Sequence, residues 1–155
     1  MNRGLVVLDD TETHRALLEE AGAFASSSDS ELVVLSYLTS EEVESNLDTI
    51  ETISEQEGTS YDSTVALQPA EQFASSMAAE TIADLDLSYE IETRVIDEDD
   101  LGDAILETAY DTDCDHVFLV GRKRSPTGKA IFGDVVQQVI LNFEGRVTVD
   151  VVDSA

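Results

Sequence analysis

The sequence predicts an α/β protein with a doubly wound, Rossmann-like sheet. Three runs of four apolar residues, at 5–8, 32–35 and 117–120, are typical of parallel strands that are buried on both faces. Segments with helical spacing of apolar residues lie between the strands, and this alternation favours parallel βαβ units. We therefore expect a single domain, residues 1–155, with a mostly parallel five-stranded sheet and helices on both faces.

Two further strands, 88–95 and 146–152, alternate apolar and polar residues. Such alternation indicates strands that are half exposed, as they are near the edges of a sheet. In the last strand the pattern places Val147, Val149 and Val151 on one face.

The helices are predicted from their caps and their apolar spacing. The first begins at Thr11 or its neighbour Asp10, and the second is predicted over 39–58 from a capping box that joins Thr39 to Glu42. A third begins near Pro69, which suits the first turn of a helix. Two more follow from the apolar spacing within 101–109 and 135–143.

The composition is strongly acidic, with 34 Asp and Glu residues against 8 Lys and Arg and a formal net charge of −26. A surface of this kind repels itself unless salt screens it, and the Debye length falls to about 3 Å near 1 M salt. The composition therefore favours a halophilic protein, with an ordinary acidic cytosolic protein as the alternative. It argues against nucleic-acid binding, which needs a basic face.

The chain shows no secretory signal and no apolar stretch approaching 18 residues, so we expect a cytoplasmic protein with no membrane partner. Cys114, the single cysteine, is expected to be a packing residue. His14 and His116 are too differently placed to form a pair, so we expect no metal site. No Ser/His/Asp or Cys/His grouping points to catalysis, and we expect a protein that is not an enzyme.

Half of the positive charge lies in one segment, "VGRKRSPTGKAIFGD", residues 120–134. This segment follows the fourth strand, and open α/β sheets bind ligands at the carboxyl ends of their strands. It ends at the start of the last helix, where free backbone amides attract anions. The segment is therefore predicted to be a loop that holds an anion, most naturally a nucleotide phosphate. The alternative is that Arg122, Lys123, Arg124 and Lys129 pair with the protein's own carboxylates.

Two common phosphate motifs do not fit the sequence. A P-loop has four residues between its glycines, whereas six separate Gly121 from Gly128, and Ala130 stands at the hydroxyl position. A dinucleotide-binding fingerprint after the first strand is also excluded, because residues 9–12 are "DDTE".

The whole chain resembles the universal stress protein family, in particular its haloarchaeal type. The resemblance lies in "GLVVLDDTE", "ELVVLSYL", "DEDDLGDAILETAYDTDCDHVFLVG", "GRKRSPTGKAIFGDVVQQVILN" and "RVTVDVV". It implies a doubly wound α/β fold and a homodimer, and many members of the family bind ATP.

The family's ATP motif is G-x-x-G, nine residues, then G-[S/T], and it matches this chain in part. Gly133 occupies the last glycine position, Val120 and Lys123 stand where the first two glycines would be, and Asp134 stands at the hydroxyl position. The resemblance also implies that the acid after the first strand is Asp9 and that Tyr37 contacts adenine. The candidate binding residues are Asp9, Tyr37, Val120, Gly121, Arg122, Lys123, Gly133, Asp134 and Val135.

Asp134 has two interpretations. As the N-cap of the last helix, paired with Gln137, it would occupy the amides that a phosphate needs. In the other interpretation, Mg²⁺ or another cation bridges the Asp134 carboxylate to the nucleotide.

These observations predict a dimeric, non-enzymatic stress-response protein that senses ATP, another adenine nucleotide or another anion through residues 120–134. The dimer is expected to form through the edge strand 146–152 with its row of valines. The alternatives are a member that binds no nucleotide and acts on unknown protein partners, and a slow ATPase.

Overall fold

The computed structural model describes residues 1–44, 67–97, 99–124 and 131–153. For residues 122–124, 131, 132 and 153 it describes the backbone.

Five parallel strands form the sheet, as predicted. They are β1 (Arg3–Val7), β2 (Glu31–Thr39), β3 (Tyr89–Ile96), β4 (His116–Arg124) and β6 (Arg146–Asp153). A two-residue strand, β5 (Ile131–Phe132), lies between β4 and β6 in the chain. The parallel strands lie in the order β3-β2-β1-β4-β6. The short β5 is an addition to the prediction, and it pairs antiparallel with the end of β4.

Helices cover both faces of this sheet. The complete described helices are α1 (Glu12–Ser27), α2 (Gln68–Thr81), α3 (Leu101–Asp111) and α4 (Asp134–Asn142). Residues 40–44 begin the helix that was predicted over 39–58, and the Glu42 backbone N–H donates to Thr39 Oγ1 at 3.2 Å. The predicted capping residue is therefore correct, while residues 45–58 lie outside the part that is described.

The two faces of the sheet have separate cores because successive strand residues point to opposite sides. Val6 and Leu8 pack with α1 and α2 on one face, in a cluster that includes Leu17, Leu18, Met77 and Ile82. Leu5 and Val7 pack with α3 and α4 on the other face, in a cluster that includes Ile105, Val136, Val139 and Phe143. Cys114 is buried in this second cluster, as expected of a packing residue.

β3 and β6 lie at the two edges of the parallel sheet, as their alternating sequences predicted. The predicted valine row of β6 needs a correction, however. Val147 and Val149 pack against the protein's own second core cluster, because that face of β6 continues the buried face of β4. Val151 is 51% exposed.

The sequence suggested that residues 120–134 form a loop, but the first part of this segment belongs to a strand. Strand β4 continues through Arg124, because Gly121 to Lys123 pair with residues 151–153 of β6. β5 then returns antiparallel, with Phe132 opposite Lys123 and Ile131 opposite Arg124. Residues 125–130, including Lys129, lie outside the described ranges.

None of the helices in the described ranges is long and apolar enough to cross a membrane.

Candidate functional site

A cavity of about 700 Å³ lies at the carboxyl ends of the central strands. In the sheet, β2 and then β3 lie on one side of β1, whereas the later strands β4 and β6 lie on its other side. The order of strands therefore reverses between β1 and β4. Doubly wound sheets open a crevice at this point, because the connections that follow the two strands leave toward opposite faces.

The cavity brings together six of the nine candidate residues from four separate places in the chain. Its lining includes Asp9 after β1, Tyr37 in β2, Val120 in β4, and Gly133, Asp134 and Val135 at the start of α4. Apolar side chains from the second core complete one wall, among them Leu101, Ile105 and Leu119.

The other three candidates lie further along β4. Gly121 is buried and pairs with Val151 of β6, while Arg122 and Lys123 continue the strand. The structure describes the backbone of these two basic residues, so their proposed contact with phosphate stays a prediction.

The turn after β1 is fixed by hydrogen bonds within residues 9–14. The Asp10 backbone N–H donates to Asp9 Oδ1 at 2.8 Å, and the His14 backbone N–H donates to Thr11 Oγ1 at 3.0 Å. Thr11 is thus the N-cap of α1, which decides between the two caps that the sequence left open. Asp9 and His14, at the two ends of this turn, both line the cavity.

His14 is a cavity residue that the sequence analysis did not identify as a candidate. Its Nδ1 lies 2.6 Å from Thr11 Oγ1, so the cap of α1 also holds the imidazole ring. The available signal was its spacing, because a residue three positions after an N-cap lies in the first turn, at the carboxyl edge of the sheet. The apolar spacing of the first helix predicted that His14 is helical, but it did not predict that His14 lines a cavity.

The start of α4 corrects the prediction for Asp134. Gly133 is the N-cap, with φ −64° and ψ 162°, and Asp134 is the first helical residue. No side chain in the described ranges caps this helix, and the backbone bond from Gln137 N–H to Gly133 O measures 3.3 Å. Within the described ranges, therefore, no side chain accepts from the first-turn amides as an N-capping side chain would.

The electrostatics of the lining are mixed. Asp9, Asp99 and Asp134 contribute three carboxylates, while the N-terminus of α4 contributes a partial positive charge of about +0.5. A phosphate in this cavity would gain from the helix and lose from the carboxylates. A cation, supplied by the protein or by the ligand, would shift this balance toward binding.

The second histidine lies at the other end of the sheet. His116 begins β4, bonds through Nε2 to Thr148 Oγ1 at 2.7 Å and stacks on Phe118 with ring centroids 4.1 Å apart. Its Nδ1 is buried without a hydrogen-bond partner in the described structure. Across the described ranges, no group of three His, Cys, Asp or Glu side chains is arranged to hold a metal ion.

Fold and cavity together define a doubly wound α/β protein with a ligand-sized cavity at its topological switch point. Residues 1–150 match the model of the universal stress protein family, and the chain belongs to that family. No curated protein matches the sequence significantly.

Solved structures share the fold at low sequence identity. The hypothetical protein MJ0577 has a TM-score of 0.68 and 16% identity, with 99% of this chain and 98% of that chain covered. A universal stress protein from Archaeoglobus fulgidus has a TM-score of 0.61 and 21% identity, with 96% and 97% covered. A structure from the same organism in complex with dAMP has a TM-score of 0.57 and 14% identity, with 96% of both chains covered.

Proposed function

We propose that this chain is a non-enzymatic stress-response module that binds an adenine nucleotide in the switch-point cavity. The observation that carries the proposal is the start of α4, where a helix without a side-chain cap opens onto a cavity of about 700 Å³. Ligand pockets typically measure about 300–1,000 Å³. The A. fulgidus complex with dAMP supports an adenine nucleotide as the ligand class.

Each part of the lining suits one part of such a ligand. The apolar wall around Leu101 and Ile105, together with Tyr37, offers a surface for the adenine ring. The Asp9 carboxylate can accept hydrogen bonds from ribose hydroxyls. The backbone amides of Asp134 and Val135 can donate to a phosphate.

Asp134 sets the charge requirement of the site. Its carboxylate lies in the first turn of α4, next to the amides that would hold the phosphate. We propose that Mg²⁺, or the side chains of Arg122 and Lys123, offsets this charge when a nucleotide is bound. ATP binding should therefore be weaker without a divalent cation, since its triphosphate carries the largest negative charge of the adenine nucleotides.

Calorimetric titration with AMP and with ATP, each with and without Mg²⁺, tests this proposal on protein freed of bound nucleotide. We expect saturable binding, and we expect Asp134→Ser to strengthen Mg²⁺-free ATP binding about tenfold, or ~1.4 kcal/mol. Asp111→Ser is the matched control, because it removes an exposed carboxylate at the far end of α3, about 15 Å along that helix from Leu101. A folded protein that binds neither nucleotide would refute the proposal.

We further propose that two copies of the chain pair through β6. Among the described residues β6 pairs on one side with β4, and Val151 on this strand is 51% exposed. Val151→Lys should shift the protein from dimer to monomer in sedimentation experiments. Val95→Lys is the control at the opposite sheet edge, where Val95 of β3 is 47% exposed.

A folded dimer without nucleotide binding would favour the rival function, in which the protein acts through protein partners. The slow-ATPase alternative requires phosphate release that depends on Asp9, which a release assay in high salt would detect.

A further inference from the structure

We propose that the open edge of β3 binds an extended basic segment of a partner protein by strand addition. The surface, which we call the β3 edge, consists of strand β3 and the groove between β3 and α3. It shares no lining residue with the switch-point cavity, so the inference stands apart from nucleotide binding.

The first argument is the regularity of this edge. All eight residues of β3 pair in continuous register with residues 32–39 of β2, and no other described strand pairs with β3. The edge is therefore about 26 Å long at 3.3 Å per residue. Natural edges are often protected by proline, lysine or a bulge, and β3 has none of these. Such an edge is a template on which another strand can pair.

The second argument is the difference between the two faces of β3. Ile91 packs against the first core cluster, and Tyr89 and Val95 on the same face are 36% and 47% exposed. Glu90 and Glu92 lie on the other face, which is the face of the sheet that α3 covers. An added strand therefore meets apolar side chains on one face and carboxylates on the other. The sequence that fits this edge alternates apolar and basic residues.

The third argument is the groove, which has a volume of about 310 Å³ and extends the carboxylate face beyond the end of β3. Its acidic lining residues are Asp97, Asp100, Asp103 and Glu107. The Asp100 side chain does not cap α3, although Asp100 is the N-cap residue. The other hydrogen bonds of this lining come from uncharged groups, since Ser40 Oγ donates to Asp97 and Gln138 Nε2 donates to Asp103. Each of these carboxylates can accept a stronger, charge-assisted bond from lysine or arginine.

The chain itself supplies little positive charge to this edge. Arg94 lines the groove, but its Nη1 lies 2.8 Å from Glu92 Oε2 and donates to the Thr93 carbonyl oxygen at 3.2 Å. Residues 45–66 and 98, which lie outside the described ranges, contain no lysine or arginine. The basic segment 122–129 follows β4, which β2 and β1 separate from β3 by about 14 Å.

This charge decides between the possible occupants. A second copy carries a net charge of −26, and its carboxylates would repel those of the β3 edge. A basic strand of another protein would be attracted to them, so the edge excludes one partner and admits the other.

The probe is an octapeptide that alternates valine and lysine, and its binding is measured by fluorescence anisotropy. In about 0.5 M KCl the Debye length is about 4 Å, so charges contribute mainly through close contacts. We expect saturable binding of one peptide per chain, and binding at least about tenfold weaker for a peptide that alternates valine and glutamate.

Two N-methylated peptides test the strand pairing on wild-type protein. Successive N–H groups of a strand point to opposite sides, so either the lysine or the valine N–H groups face β3. Methylation of all lysine nitrogens in one peptide and of all valine nitrogens in the other should abolish the binding of one peptide and spare the other.

Matched variants locate the site. Val95→Lys and Val151→Lys place the same charge at the two edges of the sheet, and both valines are exposed. Glu107→Lys reverses a charge in the groove, whereas Glu20→Lys reverses an exposed charge on α1, which packs on the other face. We expect Val95→Lys and Glu107→Lys each to weaken peptide binding about fivefold, and the two controls to change it by less than about twofold.

Each outcome supports or overturns the inference. Wild-type protein that does not bind the valine-lysine peptide overturns it, whatever the nucleotide titrations show. Equal binding of the two N-methylated peptides would mean attraction by charge alone, which also overturns it. A loss in Val151→Lys rather than in Val95→Lys would place the peptide on β6 and contradict the assignment to β3. Circular dichroism verifies the fold of each variant, and the N-methylated peptides decide the question on wild-type protein if a variant does not fold.

Discussion

At the residue scale, His116 shows how a buried imidazole links folding to pH. It is 5% exposed, and burial, followed by the nearby Arg146 charge, lowers its pKa below the ordinary value. The unfolded chain therefore takes up a proton at a higher pH than the folded protein does. The contribution of His116 to stability is complete above about pH 6.5 and is lost as the pH falls below that value.

We predict that the free energy of unfolding falls over a pH window that begins near 6.5 and extends to lower pH, and that His116→Gln reduces its slope there. Urea denaturation at several pH values in this window measures both. Asp115 titrates below the window: burial raises its pKa, but the Asn2 and Arg3 backbone N–H groups, which bond its carboxylate at 3.0 and 3.2 Å, lower it by more. A variant with the wild-type slope would show that another group controls this transition.

The candidate site also shows what residue patterns can predict. Asp9, Tyr37 and Gly133 could be proposed from the sequence because the resemblance to the family implies them, and all three line the cavity. His14 and Asp99 were not proposed: the spacing of His14 from its N-cap indicates the carboxyl edge of the sheet, but the packing of α1 and α3 around one crevice decides that both residues line the cavity. The cap of α4 was also misassigned, since Gly and Asp are both common at helix starts and the backbone angles decide between them.

At the element scale, the contact between α1 and the segment after α2 depends on a glycine. A Cβ atom at Gly22 would overlap Ile82 Cγ2 and lie 3.1 Å from Leu85 Cδ1. Ile82 is fully buried, so it has little room to move away. The missing side chain at Gly22 therefore allows α1 to pack closely against this segment.

Gly22→Ala should destabilise the protein, although alanine favours a helix by about 1 kcal/mol over glycine. Overpacking a buried contact costs about 1–3 kcal/mol, and we expect a net loss of roughly 1 kcal/mol, measured by chemical denaturation. Gly133→Ala is the control, because no described atom lies within 4 Å of a Cβ at that position. It should change stability by less than about 1 kcal/mol. Unchanged or greater stability of Gly22→Ala would mean that the two elements can separate without cost.

At the scale of the whole molecule, net charge is the dominant property. A formal charge of −26 on 155 residues produces repulsion that opposes compaction. The described ion pairs, such as Arg3 with Glu31 at 2.6 Å, involve side chains that are at least partly exposed, and they offset little of this repulsion. We propose on this basis that the protein works in a salt-rich cytosol.

The melting temperature should rise by several degrees between about 0.1 M and about 2 M KCl, as the Debye length shortens from about 10 Å to below 3 Å. Differential scanning calorimetry measures this directly. Sucrose is the control, since it stabilises folded proteins through exclusion from their surface but does not screen charge. A melting temperature that stays constant or falls with KCl would contradict the salt-dependent interpretation.

The sequence by itself determined the α/β class, the five parallel strands and the edge positions of β3 and β6, because local periodicity records how many faces of each strand are buried. The sequence also determined the net charge, and its motifs indicated the family. The tertiary structure decided the strand order around β1, the continuation of β4 through Arg124 and the use of Val147 and Val149 in the core. It alone placed His14 beside Asp9 and Asp134, since residues about 120 positions apart meet only when helices pack on the sheet.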